Sequence, residues 1–336
     1  MARLSGGDPS LLRRLNAVAV LRALYAAEQL TLAELVKASE VSRPTVEEIA
    51  ADLGGQGLVE EVPLSPAAPR PVGRPAKRYR FRPEAGHVAG LEVGRHRALC
   101  LVADLRGEVI GRATAELTPE MDATDRLGAA RRALGAAVEG LENVRALGIG
   151  TTGVVSGGKV VRDDRLPGWA GVDLPAEFGG RCPVLTGNDT KLATLAEHWR
   201  GAAHGVDDVV YVRAGRTVSL GMLLGGKLHG GHHGAAGEIG SLQQAGPYAS
   251  LDRFVELVAA TVLTLDPQLV VIGGNENPQA LSTTRLRTEL ARLCLFPVRV
   301  EASILGEDSV ALGAVRLALG RVERELFSVA DVASAG

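Results

Sequence analysis

At 336 residues the chain is long for one domain, so two or three are expected. A hydrophobic share of 46% and a charged share of 23% are those of an ordinary globular protein. The net charge of -2 excludes no partner, because a basic patch hides easily in a neutral average. Aromatic residues make up only 3%, so cores must be built from Leu, Val and Ala. Cys100, Cys182 and Cys294 are far apart and share no metal spacing, which argues against a disulfide framework and for a reducing compartment. No apolar run of about 18 residues and no leader-like start is present, so a cytoplasmic chain with no membrane partner is expected.

The first stretch reads as helices. "LLRRLNAVAVLRALYAAEQ" places Leu11, Leu12, Leu15, Val18, Leu21 and Leu24 near one helical face. Thr31 followed by Glu34 is the signature of a capping box before "LAELVKAS". "RPTVEEIAADL" follows a tight turn, with Ser42 as the expected N-cap, Pro44 in the first turn and Gly54, Gly55 and Gly57 at the end. Two short helices joined by a tight turn fit a helix-turn-helix. The second is then the recognition helix, with Ser42, Arg43, Thr45 and Glu47 facing bases. A helical dimerisation cap is the plainer alternative.

Strands are expected at Leu58–Val62 and Lys77–Phe81, with a proline-rich tip between them, which makes a wing. Arg70, Arg74, Lys77, Arg78, Arg80 and Arg82 lie in a span without any acidic residue. Such a tip can neutralise phosphates. In "GRP", Gly73 permits close approach and Pro75 keeps the chain extended, so Arg74 is suited to a narrow minor groove. A solvated interdomain linker is the alternative. Residues 1–82 hold twelve Lys/Arg against nine Asp/Glu, so the basic excess sits in front.

From His87 onward strands alternate with helices, and two α/β lobes with a cleft between them are expected. Strands are read at "HVAGLEVG", "RALCLVADL", "GEVIGRATAEL", "ALGIGTTGVV", "VLTGND", "DVVYVRAG", "VSLGMLLGG" and "LVVIGG". Helices are read at Asp122–Leu141, "TKLATLAEHW" and Ser250–Leu265.

Four blocks in order carry a resemblance: "LPGWAGVDL" (Leu166–Leu174), "GNDTKLATLAE" (Gly187–Glu197), "GKLHGGHHGAAGEIG" (Gly226–Gly240) and "LDPQLVVIGG" (Leu265–Gly274). Together they resemble the ROK family of repressors, open reading frames and sugar kinases, over nearly the whole chain. The resemblance implies a winged helix-turn-helix over residues 1–82 and an actin-like, two-lobed sugar-kinase fold over 83–336. Lobe 1 would span about 83–190 plus a C-terminal helix, and lobe 2 about 191–305.

Departures from the family pattern bear on chemistry. Where ROK kinases read Asp-x-Gly-Gly-Thr-Lys, this chain has "EVGRHR", Glu92 to Arg97, with Arg95 and His96 as bulky side chains. Where the kinases have a second phosphate turn, it has "GRTVS", Gly215 to Ser219. Phosphoryl transfer needs backbone donors and a held magnesium ion, so no kinase activity and no cofactor are expected. The histidine that follows Gly-Glu-Ile-Gly in the family is Ser241 here, and no cysteine cluster follows, so no metal is expected. The resemblance implies a sugar site from Gly153, Asn188, Asp189, Glu238 and Ser241, with Asp189 in the kinase base position. Asp189 also reads as the N-cap of the helix that follows.

The expected function is a DNA-binding regulator, a repressor of sugar or carbon metabolism genes. It binds a double-stranded operator as a homodimer or homotetramer, with a sugar or sugar derivative as effector. An active sugar kinase with a regulatory head, and a DNA-binding protein on a ligand-free scaffold, remain open alternatives.

Overall fold

A computed structural model of the chain describes residues 9–63, 77–214, 218–240, 251–274 and 283–328. It divides into two compact units. The first takes in residues 1–87, the short segment Asp104–Glu108 and the end of the chain from Gly320. The second takes in Val88–Ala103 and Val109–Leu319.

The first unit is a winged helix. It runs α1 (Pro9–Ala26), β1 (Leu30–Thr31), α2 (Leu32–Ser39), α3 (Arg43–Gly55), β2 (Val59–Val62) and β3 (Arg78–Phe81). The capping box at the start of α2 is present: the Thr31 amide donates to Glu34 at 2.7 Å, and the Thr31 hydroxyl accepts from the Glu34 amide at 3.3 Å. These bonds satisfy two otherwise orphaned donors. The turn into α3 passes through Glu40 in the left-handed region, φ 58°. Val20, Leu21, Leu24, Leu35, Val46 and Ile49 are buried together as its apolar core. β3 pairs antiparallel with β2, Val59 opposite Phe81, and on its other edge with β1, Leu30 opposite Tyr79. The sequence pattern misses β1 because two residues show no alternation. The tip of the wing, with Arg70 and Arg74, lies outside the described residues.

The second unit has two five-stranded sheets among the described residues. The first is ordered β10 (Val184–Asn188), β7 (Val144–Thr151), β4 (His87–Val93), β5 (Arg97–Asp104), β6 (Val109–Glu116). The second is ordered β13 (Lys227–Leu228), β12 (Ser219–Leu224), β11 (Val209–Arg213), β14 (Leu269–Gly273), β15 (Arg299–Ala302). A small hairpin, β8 (Val154–Ser156) with β9 (Lys159–Arg162), follows β7. The helices are α4 (Ala123–Ala137), α5 (Leu174–Phe178), α6 (Asp189–Arg200), α7 (Leu251–Leu265), α8 (Thr283–Leu293) and α9 (Ser309–Phe327).

β4 and β5 are buried nearly throughout, as their unbroken apolar runs dictate, whereas β6 alternates as an edge strand covered on one face. One core joins β4, β5 and α4 to the fully buried Trp169. A second joins β11, β12 and β14 to α7 and α8, and a third joins the other face of those strands to Ala193 of α6 and Val310 of α9. α9 lies directly on the first sheet because two neighbouring strands offer glycine beneath it. A Cβ on Gly148 would stand 2.0 Å from the Ala314 carbonyl oxygen, and one on Gly90 would stand 2.4 Å from that of Ala311. Close helix–sheet approach of this kind excludes any side chain.

Gly148→Ala is therefore expected to destabilise the chain by about 2 kcal/mol or more, the cost of overpacking a tight interface. Gly135→Ala, on α4 where an added Cβ meets nothing within 4 Å, is expected to stabilise it by roughly 0.5–1 kcal/mol. Urea unfolding of the two variants measures the contrast.

Candidate functional site

Two places carry chemistry, one in each unit. In the first, the N-terminus of α3 is solvent-facing. Ser42, Arg43 and Glu47 are exposed, Thr45 half-buried, and Val46 and Ile49 point inward, so one face anchors the helix and the other is presented. Ser42 occupies the N-cap position without capping: its hydroxyl bonds the Thr45 hydroxyl at 2.8 Å instead. The helix thus starts with no side chain on its first amides. Arg43 is held by Glu47 one turn on, at 3.2 Å.

The basic residues of the wing are largely matched by acids. Lys77 pairs with Glu61 at 2.7 Å, and Arg80 with Glu60 and Glu84 at 2.5 and 2.8 Å. Arg82 shares the same two glutamates. Arg78, on the central strand β3, forms no ion pair among the described residues. A groove of about 470 Å³ between α3 and the wing is lined by Glu47, Glu60, Glu61 and Lys77.

The second place lies in the second unit, where β4, β7, β10 and β11 end. Glu92 closes β4 and is buried, with Arg97 of β5 at 3.1 Å. Burial pushes the Glu92 carboxyl up, against the pull of Arg97 and Arg213. Asp189 opens α6. One of its oxygens is 2.7 Å from Arg213 at the end of β11, and the other accepts from the Thr190 amide at 2.6 Å. Arg213 therefore reaches from the second sheet to an acid at the edge of the first. Glu238 lies 3.8 Å from the ammonium of Lys191, beyond hydrogen-bond reach, and both are largely buried. Desolvation pushes Glu238 up and Lys191 down. The acids Glu92, Asp189 and Glu238 are thus interleaved with the cations Arg97, Arg213 and Lys191.

The frame behind these charges is rigid. The N-cap of α6 is Asn188, not Asp189: its side-chain oxygen accepts from the Lys191 amide at 3.1 Å, and its side-chain amide donates to the Gly153 carbonyl at 2.9 Å. Asparagine is the better cap here because it holds Gly153 with the same side chain. Gly153, at φ +83°, has the Arg162 carbonyl 2.5 Å from where a Cβ would stand. Trp169 donates to the Thr151 hydroxyl, which donates to the Val93 carbonyl, both at 2.9 Å.

The sequence-expected Gly153, Asn188, Asp189 and Glu238 therefore converge, while Ser241 lies outside the described residues. Arg213 and Lys191 were missed. Lys191 carries no periodic signal because α6 is buried on nearly every side.

The turn that follows β4 is closed from within. The Gly94 amide donates to the Arg97 carbonyl at 2.9 Å, so the turn spends that donor internally. The buried Arg126 guanidinium binds the carbonyls of Gly94, at 2.6 Å, and Thr118, at 2.7 Å, fixing the turn from behind. Arg216 and Thr217 of the second turn lie outside the described residues. Among the described residues no group of three or more His, Cys, Asp or Glu is placed to hold a metal. No helix among them is long and apolar enough to cross a membrane.

Residues 88–251 match the ROK family, and residues 15–63 match the IclR helix-turn-helix domain. The chain carries a ROK-family domain behind a helix-turn-helix. The N-acetylglucosamine repressor of Escherichia coli O6:H1 is 26% identical over 245 residues, 70% of this chain and 59% of that protein. The chain so spans less than two thirds of the relative it matches. A ROK-family transcriptional regulator homologous to the E. coli MLC protein has the same fold, with a TM-score of 0.67, 19% identity and coverage of 95% of this chain and 98% of that one. A ROK glucokinase from Streptomyces griseus, solved with glucose and AMPPNP, superposes on the ROK domain with a TM-score of 0.57 and 21% identity, covering 69% of this chain and 99% of that one. The ROK scaffold is thus common to regulators and kinases, and the residues of the site must separate them.

The raised Glu92 carboxyl has a readable consequence. The folded state holds that proton to higher pH than the unfolded state, so stability falls as pH rises from about 4.3 through the folded value. Glu92→Gln removes this slope. The stability of the variant relative to the parent is expected to climb from about pH 4 upward and then level off, as measured by urea midpoints across pH 4–8.

Proposed function

We propose that this chain is a ligand-responsive transcriptional regulator, a repressor that reads an operator through α3 and the wing and a sugar or sugar derivative through the ROK domain. The observation that carries this reading is the Asp189–Arg213 pair. In the kinase reading Asp189 takes a hydroxyl proton; here a guanidinium lies 2.7 Å from one of its oxygens as an ion pair, and the Thr190 amide donates to the other. A guanidinium held against the carboxylate competes with a substrate hydroxyl for the oxygen that would take its proton. Asp189 is better suited to orienting a hydroxyl than to deprotonating it, and the internally bonded Gly94 turn supports the same conclusion. We therefore take the chain to be no enzyme, with no cofactor or metal.

Ligand contact is proposed for Asp189, Glu238 and the Gly153 turn, with Ser241 and the second Asn188 amide hydrogen as further donors. On the head, Ser42, Arg43, Thr45 and Glu47 are proposed to face base edges, and Arg74, Lys77 and Arg78 the backbone or minor groove. The exposed pairs Lys77–Glu61 and Arg43–Glu47 are each worth little in water, about 0.5 kcal/mol, so a phosphate or base can displace the glutamate. Two-fold operators and paired heads go together, so a homodimer or homotetramer acting in the cytoplasm is proposed. A ligand alters operator affinity only as far as it binds the two states of the regulator unequally.

Gel shifts against upstream regions of the source genome are expected to reveal a specific duplex; failure to retard any DNA at low salt excludes the reading. Arg78→Ala is expected to weaken binding evenly across sequences and to reduce the slope of log affinity against log salt by about 1. Thermal-shift screening with glucose, N-acetylglucosamine and other sugars is expected to show one saturable rise that Glu238→Ala abolishes. A coupled assay is expected to find no ATP-dependent phosphorylation of any of them; turnover lost in Asp189→Asn would establish the kinase instead.

A further inference from the structure

α1 supports the whole head: α2 and α3 both pack on it, through Val20, Leu21 and Leu24. Yet α1 has no stop signal of its own. Its last turn carries no basic residue, and no glycine follows Ala26 before β1. The last carbonyls of a helix need partners. Here they come from far along the chain. Arg106, in the turn between β5 and β6, donates to the Ala27 carbonyl at 2.7 Å and to that of Leu24 at 3.4 Å. The guanidinium also lies 5.8 Å from the Tyr25 ring centre and 6.0 Å from that of Phe81 at the end of the wing.

The turn that presents Arg106 is itself fixed. Asp104 accepts from the amides of Arg106 and Glu108 at 2.9 and 3.0 Å, and the Leu105 amide donates to the Pro83 carbonyl at 3.0 Å. Tyr25 donates to the Leu105 carbonyl at 3.1 Å and meets Phe81 and Phe327 edge to face, each at 5.2 Å. Residues 104–108 and the end of α9 accordingly fall in the same compact unit as the helix-turn-helix.

We propose that Arg106 is a positioning residue for DNA reading: a cation delivered from outside the helix-turn-helix that ends α1 and joins it to the wing. A cation at a helix C-terminus is favoured by the helix dipole, and stacking over two rings fixes its direction. Arg106 touches no DNA and acts through α1 and Phe81. The inference rests on the regulator reading, and it places an essential part of the head beyond any cut after residue 82.

The test uses the full chain and a duplex retained in the gel shifts. Arg106→Ala is expected to speed amide hydrogen exchange in the last turn of α1 by about tenfold or more and to weaken duplex binding five- to twentyfold, while exchange in β11 and β14 stays unchanged. Arg106→Lys, which keeps the charge and a donor, recovers binding to within about threefold. Tyr25→Phe, which removes the hydroxyl that contacts the Leu105 carbonyl and Glu323, gives a smaller shift in the same direction and serves if the alanine variant does not fold. Unchanged duplex affinity in Arg106→Ala overturns the inference and leaves the regulator reading intact, as does Arg106→Lys binding no better than Arg106→Ala. A parent chain that binds no duplex overturns both.

Discussion

The ROK domain depends on balancing charges that its fold has taken out of water. Glu92, Asp189 and Glu238 are gathered where β4, β10 and β11 end, and a carboxylate buried without a partner costs several kcal/mol. Each has a cation beside it: Arg97, Arg213 and Lys191 respectively. The matching is uneven. Arg213 makes a short contact with Asp189, whereas Lys191 stands 3.8 Å from Glu238.

The head follows a different rule. Its cations are numerous in sequence, but the structure pairs most of those near the wing with glutamates on the adjacent strand. Antiparallel pairing of β2 with β3 is the cause, because it sets Glu60 opposite Arg80 and Glu61 beside Lys77 across the ladder. The net positive charge of the described wing residues is then smaller than a count suggests. This favours local contacts over a broad electrostatic surface.

Much of this was legible in the sequence. The capping box at Thr31 and Glu34, the wing strands and the order of strands around "GNDTKLATLAE" all follow from local signals that agree with the final packing. The failures share one cause, which is that a side chain with two possible partners cannot be assigned from one strand or helix alone. Ser42 has the type and position of a cap, but Thr45 takes its hydroxyl. Asp189 reads as a cap, but Asn188 is placed to serve both α6 and Gly153. Arg213 and Arg106 find their partners 24 and 79–82 residues away in sequence, at ends of strands and turns where no periodicity operates.

The same long-range partnerships fix the turns and charges of the ROK domain from within. The Gly94 turn is rigid without phosphate, because Arg126 ties its carbonyl to Thr118 from behind and the Gly94 amide closes on Arg97. Asp189 pairs with Arg213 at 2.7 Å and accepts from the Thr190 amide at 2.6 Å. Neither device touches the frame of Asn188, Gly153, Thr151 and Trp169. Selection on a regulator acts on the difference in ligand affinity between two states of the protein, and that difference needs a shaped polar site but no reaction.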